Sequence, residues 1–477
     1  MKAPFLFLFC LALLFPVSGQ QADPSKEDSI ASMKAAVGFF RSRLSQGGGY
    51  ASEWTLEPFR GFTEHGAGKT VFSIQPHGTT TVGLAMLRAY EATGEKEFLE
   101  GANEAGSALA KCQLSSGGWS SEFDFDPEYA KRYHLRTDLD QGDTDPGKRR
   151  RLSTLDDNKT QSALLLLLEL AMIPDNHSHA VIQEAIEFGL DSLLAAQNTD
   201  GSWPQQYDEA ADPNLEVLAA SFPEEWSREY PKLPYYRYAT LNDGNLVHVM
   251  SLLLRAHKAT GNKRFLDSAK RLGDFLLRAQ LPEPQRAWAQ QYDENRHPAW
   301  ARKFEPPAIS SIESMGACEA LLELWIASGE DRYRATIPDA LRWMESSQLE
   351  DGRWARFYEL ETNRPLYCEA ETYQVTYDGS NTPTHYGFKI DSGFGRKMER
   401  MRKSLEKSRE KHLEQQAGPN SKEAWEKRAR DFRGKAKQAL SLQHEDGYWL
   451  KGDRIDAREF VKRMTDLTSY VEALSKQ

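Results

Sequence analysis

The sequence predicts an all-α fold: an α/α toroid of repeated helical hairpins with short β segments and long loops. Three observations predict it. A turn signature recurs from end to end, the segment before it reads as two helices, and the segment after it reads as a short strand. QLSSGGW (113–119), QNTDGSW (197–203), QLEDGRW (348–354) and QHEDGYW (443–449) share Gln, three residues, Gly, any residue, Trp. Degenerate copies start at Gln46 (QGGGY) and Gln280 (QLPEPQRAW). The six Gln residues are 67 to 95 residues apart. Units of this kind cannot bury an apolar face alone and must stack. The spacing is long for an open solenoid and suits inner helices around an axis with an outer ring.

Residues 1–19, MKAPFLFLFCLALLFPVSG, hold one cation, an apolar run, and small residues Val17 and Gly19 at a cleavage site. They predict a secretory signal peptide and a secreted or periplasmic product. The run is too short for a comfortable span, and no later stretch qualifies, so no membrane association is expected after cleavage. The toroid domain is assigned to 20–395. Its hairpins read from YEATGEKEFLEGANEAGSALAKCQ, HKATGNKRFLDSAKRLGDFLLRAQ and IASGEDRYRATIPDALRWMESSQ. Leu and Ala recur at three- and four-residue spacing, which is amphipathic helix. Gly94, Gly261 and Gly329 sit where a helix needs a left-handed C-cap. After each turn come WSSEFD, WPQQYD, WAQQYD and WARFYE, extended segments that place Asp124, Asp208, Asp293 and Glu359 at equivalent positions. Two loop insertions interrupt the hairpins, a highly charged, helix-poor one at 121–152 and one with scattered Pro and Trp at 208–238; long loops on a rigid scaffold tend to be functional or disordered. Residues 396–477 are read as a charged helix, with the solvated run KMERMRKSLEKSREKHLEQQ, and a final hairpin packed on the toroid.

Composition excludes some partners. A formal net charge of −10 makes nucleic acid a poor partner. Past the leader, Cys112, Cys318 and Cys368 are an odd number without tight spacing, which predicts buried free thiols rather than disulfides or zinc. The 11 Trp and 18 Tyr suit sugar rings, although the repeat assigns Trp119, Trp203, Trp354 and Trp449 to packing in turns.

Polar clusters open the inner helices: QPHGTTT (75–81), TLDDNKT (154–160), TLNDGNL (240–246) and PPAISSIES (306–314). N-capping accounts for part of this, because Asp, Asn and Ser satisfy free backbone N–H groups. In a toroid the same clusters converge on one mouth. Asp156, Asp157, Asn158, Asn242 and Asp243 would then share a pocket whose oxygen-only ligands suit Ca²⁺. WAQQYDENRHPAWARKFEPPAIS (288–310) places Arg302 and Lys303 between Trp300 and Phe304. RWARFYELETNRPLY (353–367) adds Arg356 and Arg364. Cations framed by aromatic rings suit an anionic sugar, because Arg pairs a carboxylate bidentately and rings take the pyranose face.

TLDDNKT, the DGSWPQQY turn, the Asn-Asp-Gly helix start, PAWARKFEPPAIS and FYELETNRPLY together resemble polysaccharide lyase family 10, the pectate or pectic acid lyases. The resemblance runs from about 118 to 365, and PAWARKFEPP is its most specific motif. It implies a secreted α/α toroid that cleaves an acidic polysaccharide such as polygalacturonate by Ca²⁺-assisted β-elimination. It assigns Asp156, Asp157, Asn158 and Asp243 to the metal cluster, Asn242 to substrate, and Arg302 and Arg364 to the PAWAR and NRP arginines. Lys303, Arg356, Lys389 and Trp300 complete the expected substrate contacts.

The chain departs from the family after the NRP motif. An Asp-Arg-Asp turn and an Arg-rich stretch carry the family's expected base, but CEAETYQVTYDGSNTPTHYGFKID (368–391) holds no Arg. Either another residue is the base, with His385 and Tyr386 as candidates, or the site has lost lyase activity. Three other readings stay open. A glycoside hydrolase would use Asp208, Asp293 or Glu359, one with a raised pKa. A non-catalytic binder would hold acidic glycans. A triterpene cyclase shares the turn signature but needs an apolar cavity and a membrane patch.

Overall fold

The computed structural model describes residues 23–68, 70–174, 176 and 180–477. The signal peptide expected at 1–19 lies outside them. No described helix is long and apolar enough to cross a membrane.

Four hairpins follow the sequence reading: α2 (Thr79–Thr93) with α3 (Lys96–Lys111), α6 (Lys159–Ala171) with α7 (Ala180–Ala195), α8 (Asn245–Thr260) with α9 (Lys263–Ala279), and α10 (Ser311–Ser328) with α11 (Arg332–Ala335) and α12 (Ile337–Ser346). Gly94, Gly261 and Gly329 close the first helix of three of them in the left-handed region, with φ of 75°, 69° and 77°. The chain starts with α1 (Lys26–Phe39) and ends with α15 (Lys422–Leu442) and α16 (Ala457–Ser475). The helices α16, α2, α6, α8 and α10 pack side by side in that order. They form the inner layer of an α/α toroid, and the C-terminal helix stands beside the first hairpin. The strand after each signature Trp pairs antiparallel with the strand that leads into an inner helix. Gln206–Tyr207 pairs with Ser153–Thr154, and Gln291–Tyr292 with Ala239–Thr240.

The bonds of the turn signature explain its recurrence. Each Trp indole N–H donates to the carbonyl ten residues back: Trp119 to Leu109, Trp203 to Leu193, Trp354 to Met344 and Trp449 to Ala439, at 2.7–2.8 Å. Three of the four Gln amides bond a carbonyl of their own turn and one on the next outer helix, while Gln348 bonds the Gly352 carbonyl of its own turn. Gln113 reaches Gly117 and Ala185, Gln197 reaches Gly201 and Ser268, and Gln443 reaches Gly447 and Ser32. The last bond joins the C-terminal turn to α1, so the same device that links neighbours also links the two ends. Gly201 has φ 92°, and an added Cβ would lie 2.0 Å from the Arg271 carbonyl oxygen. Glycine is therefore required twice over, for conformation and for close approach.

Two expectations change. The run 397–416 is not one solvated helix but parts of α13 (Gly393–Leu405) and α14 (Arg409–Ala417). Ser408 breaks it by capping α14 through the backbone N–H of Lys411. Phe394, Met398 and Met401 of α13 are buried, and His412 of α14 packs edge-on to Trp325. The second change concerns the loop 121–152, which is ordered. It contains α4 (Pro127–Ala130) and α5 (Arg136–Asp140), and buried His134 bonds Ser115 and the Asp143 carbonyl. Cys112, Cys318 and Cys368 are buried free thiols, as read from their spacing.

Candidate active site

The segments Asp156–Asn158 and Asn242–Gly244 fold into matching turns in front of α6 and α8. Asp157 and Asp243 both have φ 49°, with ψ of 33° and 31°. Asn158 and Gly244 follow, also left-handed, at φ 60° and 72°. Two successive non-glycine left-handed residues, Asp157 and Asn158, are costly for the backbone. The capping explanation does not hold, because the inner helices α2, α6, α8 and α10 have no side-chain cap bond. The twist instead brings Asp156, Asp157 and Asp243 together, with one carboxylate oxygen from each within 4.8 Å of the others.

Few donors are supplied to these acids. Gln205 donates to Asp156 at 2.8 Å, and Gln75 to Asp157 at 3.3 Å. The ammonium of buried Lys159 stands 3.4 Å from Asp156 and 3.3 Å from Asp157. Asn242 donates to Asp243 at 2.9 Å, while its own Oδ1 is buried without a partner. Burial pushes the Asp243 carboxyl up to about 6, against the pull of Arg356. Asn158 lines a cavity of about 380 Å³ between α2, α6 and α8, with Gln161 and His248.

A wall of cations and rings adjoins the acids. Arg356 is buried and lies 3.4 Å from Asp243 and 3.0 Å from buried Glu313. Arg302 grips buried Glu305 bidentately, at 2.6 and 2.9 Å, and reaches Asp243 at 4.0 Å. Both guanidiniums face the Tyr386 ring, at 5.5 and 4.6 Å from its centroid. Burial disfavours the Arg302 cation, but its bonds to Glu305 outweigh this and raise its pKa. Burial likewise opposes the Arg356 cation, and Glu313 leads the groups that raise it. The Tyr386 hydroxyl donates to Glu305 at 2.9 Å; burial first, and then the Glu305 charge, push the phenol up. His385 is exposed, edge-on to Phe304, and makes no hydrogen bond among the described residues.

The remaining expected contacts spread outward. Lys303 lies over Tyr373 at 3.6 Å, Arg364 over Tyr377 at 3.4 Å and Lys389 over Tyr367 at 5.7 Å. Among the described residues none of the three forms an ion pair, and none bonds the acid turns. Trp300 does not offer its face to a ligand. It is buried, its indole donates to the Ser227 carbonyl, and Tyr230 packs on it. The loop 208–238 thus covers the ring that was expected to meet sugar. Its Arg228 bonds buried Glu359, which also accepts from Tyr377 at 2.6 Å. Burial would raise the Glu359 carboxyl, but hydrogen bonds from Thr362, Tyr377 and Arg228 hold it below the ordinary range, which does not suit a general acid. Asp208 is paired with Arg237 at 2.9 Å, and Asp293 accepts backbone N–H groups of its own turn.

Sequence reasoning missed Gln205, Gln290, Lys159 and Glu313. The repeat frame held a signal for two of them. Gln205, Gln290 and Arg356 each stand two residues after a signature or equivalent Trp. Their carbonyls accept from Leu241-type positions in the same register: Leu155, Leu241 and Ser311. Their side chains reach Asp156, Tyr386 and Asp243, respectively.

Comparison with known proteins adds to this geometry. No curated protein sequence matches the chain. Among solved structures, a family 10 polysaccharide lyase from Cellvibrio cellulosa is similar at 17% identity and TM-score 0.46, over 68% of this chain and 97% of that one. A mutant of a family 10 polysaccharide lyase from the same organism, in complex with trigalaturonic acid, gives the same identity and TM-score over 69% and 98%. A glycoside hydrolase family 76 mannosidase from Bacteroides thetaiotaomicron gives 11% identity and TM-score 0.45, over 94% and 98%. Residues 124–353 match the sequence model described as pectic acid lyase. This segment, which carries Asp156, Asp157, Asp243 and Arg302, is the part of the chain that is similar to the pectic acid lyase family.

Proposed function

We propose that this protein is a secreted lyase that cleaves an acidic, uronate-containing polysaccharide such as polygalacturonate by Ca²⁺-assisted β-elimination. The convergence of three carboxylates from two matching helix-start turns, beside Arg302 and Arg356, carries this reading. The donor set fits Ca²⁺. It is oxygen-only, it includes the unpartnered Asn242 Oδ1, and three carboxylates with one Lys159 ammonium leave two negative charges. Asp156, Asp157 and Asp243 would hold the ion, with Asn242 beside them. A bound Ca²⁺ would neutralise the uronate carboxylate and so acidify the proton at C5.

The side chains divide the remaining work. Arg302 and Arg356 stay charged and are placed to bind the uronate carboxylate and stabilise charge that develops on it. Neither suits proton abstraction, because their carboxylate partners hold them protonated. Tyr386 stays protonated because burial and then the Glu305 charge disfavour the phenolate, and it can donate to the leaving oxygen at C4. His385 has free ring nitrogens and is our choice to take the C5 proton. The electron pair released at C5 forms the C4–C5 double bond as the C4–O bond breaks. Lys303, Arg364 and Lys389, parked over tyrosine rings without carboxylate partners, suit further uronate units of the chain.

The test is absorbance of the unsaturated product from polygalacturonate, with Ca²⁺ and with chelator. Turnover that chelator stops, and that His385→Ala reduces while binding persists, is the expected result. Loss with Arg302→Ala but none with His385→Ala would remove His385 as base. Ca²⁺-independent release of reducing ends without that absorbance would replace the lyase with a hydrolase.

A further inference from the structure

The acid turns have unlike walls on their two sides. The inner helices run α16, α2, α6, α8, α10, and the turns before α6 and α8 have Arg302 and Arg356, from the segments that flank α10, on one side. On the other side is the junction of α16 and α2. A cleft of about 380 Å³ opens there, lined by Gln75, His77, Arg454, Asp456 and Arg458 among others. All five lie outside the segment that matches the family.

The polar groups of this cleft are incompletely used. Gln75 connects it to the acid cluster through its bond to Asp157, yet its Oε1 is buried with no partner. His77 Nδ1 is also buried and unpartnered. Unmade bonds at buried polar atoms are costly, so their persistence needs a reason. Most charges in the wall are matched: Arg454 with Glu53 at 2.9 Å and Lys451 with Asp456 at 3.0 Å. Asp456 also caps α16. Arg458 is different. It is exposed in the first turn of α16 and forms no ion pair among the described residues. A cation is disfavoured at a helix N-terminus, so helix stability does not account for it. Burial, and then the charge of Arg458, lower the His77 pKa, which leaves a neutral imidazole beside one free guanidinium.

We propose that the α16–α2 cleft is a second sugar subsite, in which Arg458 binds the carboxylate of a uronate unit and Gln75 and His77 bond its hydroxyls. It rests on the uronan substrate proposed above. The polysaccharide would then lie across the whole mouth, from the Arg356 side over the acid turns to Arg458.

The experiment is steady-state turnover of oligogalacturonates of increasing length by the wild type and by Arg458→Ala, His77→Ala and Arg458→Lys. Loss of one charged hydrogen bond predicts a rise in KM of about tenfold with Arg458→Ala on the longer oligomers. The shortest cleaved oligomer should show no such rise, kcat should change little, and Arg458→Lys should restore part of the loss. A purely structural role would not produce this length dependence. If the wild type turns over oligogalacturonate and all three variants keep its length profile, the subsite is overturned and the lyase reading stands. If the folded wild type neither binds nor cleaves any of them, both fall.

Discussion

The turn at 197–203 and the turn at Asn242–Gly244 belong to neighbouring stretches of one repeat, yet they treat their polar groups in opposite ways. In the first, Gln197 bonds two carbonyls, Trp203 bonds a third, and Gly201 takes the positive φ. In the second, a non-glycine Asp243 takes the positive φ, no side chain caps the helix, and Asn242 Oδ1 has no partner. Local choices agree with the fold at the outer turn and conflict with it at the inner one. Conflict of that kind concentrates where a chain binds something. The difference separates scaffold from site within a repeat whose sequence copies look equally regular.

Breaking the scaffold turn should have the largest effect. Gly201→Ala forces a Cβ to 2.0 Å from the Arg271 carbonyl oxygen, and loss of soluble folded protein is expected by circular dichroism. Trp203→Ala, milder, should cost about 3–5 kcal/mol in denaturant unfolding. Activity per folded molecule should be kept. Asp243→Ala should do the reverse. Turnover should fall by about a hundredfold or more, and the Tm with chelator present should hold or rise, because a half-buried, crowded carboxylate is gone.

The two kinds of carboxylate should also part in pH dependence, measured as Tm with chelator. Asp243 titrates near 6 when folded, above its unfolded value. Its folded state binds the extra proton, so it favours folding only at low pH and opposes it as pH rises through about 6. Asp243→Asn should therefore raise the Tm near neutrality, and the gain should shrink as pH falls below about 6 and vanish below about 4, the ordinary Asp value. Glu305 has the opposite sign. Burial would raise it, but Arg302 holds it below the ordinary range, so its stabilisation is present at neutral pH and lost at acid pH. Glu305→Gln should lower the Tm near neutrality, with the deficit closing on acidification. The smallest effect is expected from exposed Arg364. Arg364→Ala should raise KM only a few-fold, with no change in Tm.

Much of the scaffold was legible because period, glycine position and Trp position are local facts. Gly94, Gly261 and Gly329 were readable as caps, and the six turns as repeats. The acid turns were legible as a cluster, but not as uncapped, left-handed turns. Lys159 sits inside TLDDNKT, yet only the fold shows its ammonium between two aspartates. Gln205, Gln290 and Arg356 share a register that becomes visible only when the strands align. Trp300 was misplaced because the loop that buries it, 208–238, has no periodicity to read. The break at Ser408 was hidden by a charged run whose few apolar residues carry the packing.

The account turns on the acid turns as the place where an anionic sugar meets a divalent ion. Absorbance of the unsaturated product from polygalacturonate, followed with Ca²⁺, with chelator, and with Asp243→Ala, measures it most directly. The account predicts a rise with Ca²⁺ that chelator and the substitution each abolish. Folded protein that gives no rise on any uronan, or a rise that Asp243→Ala leaves intact, would contradict it.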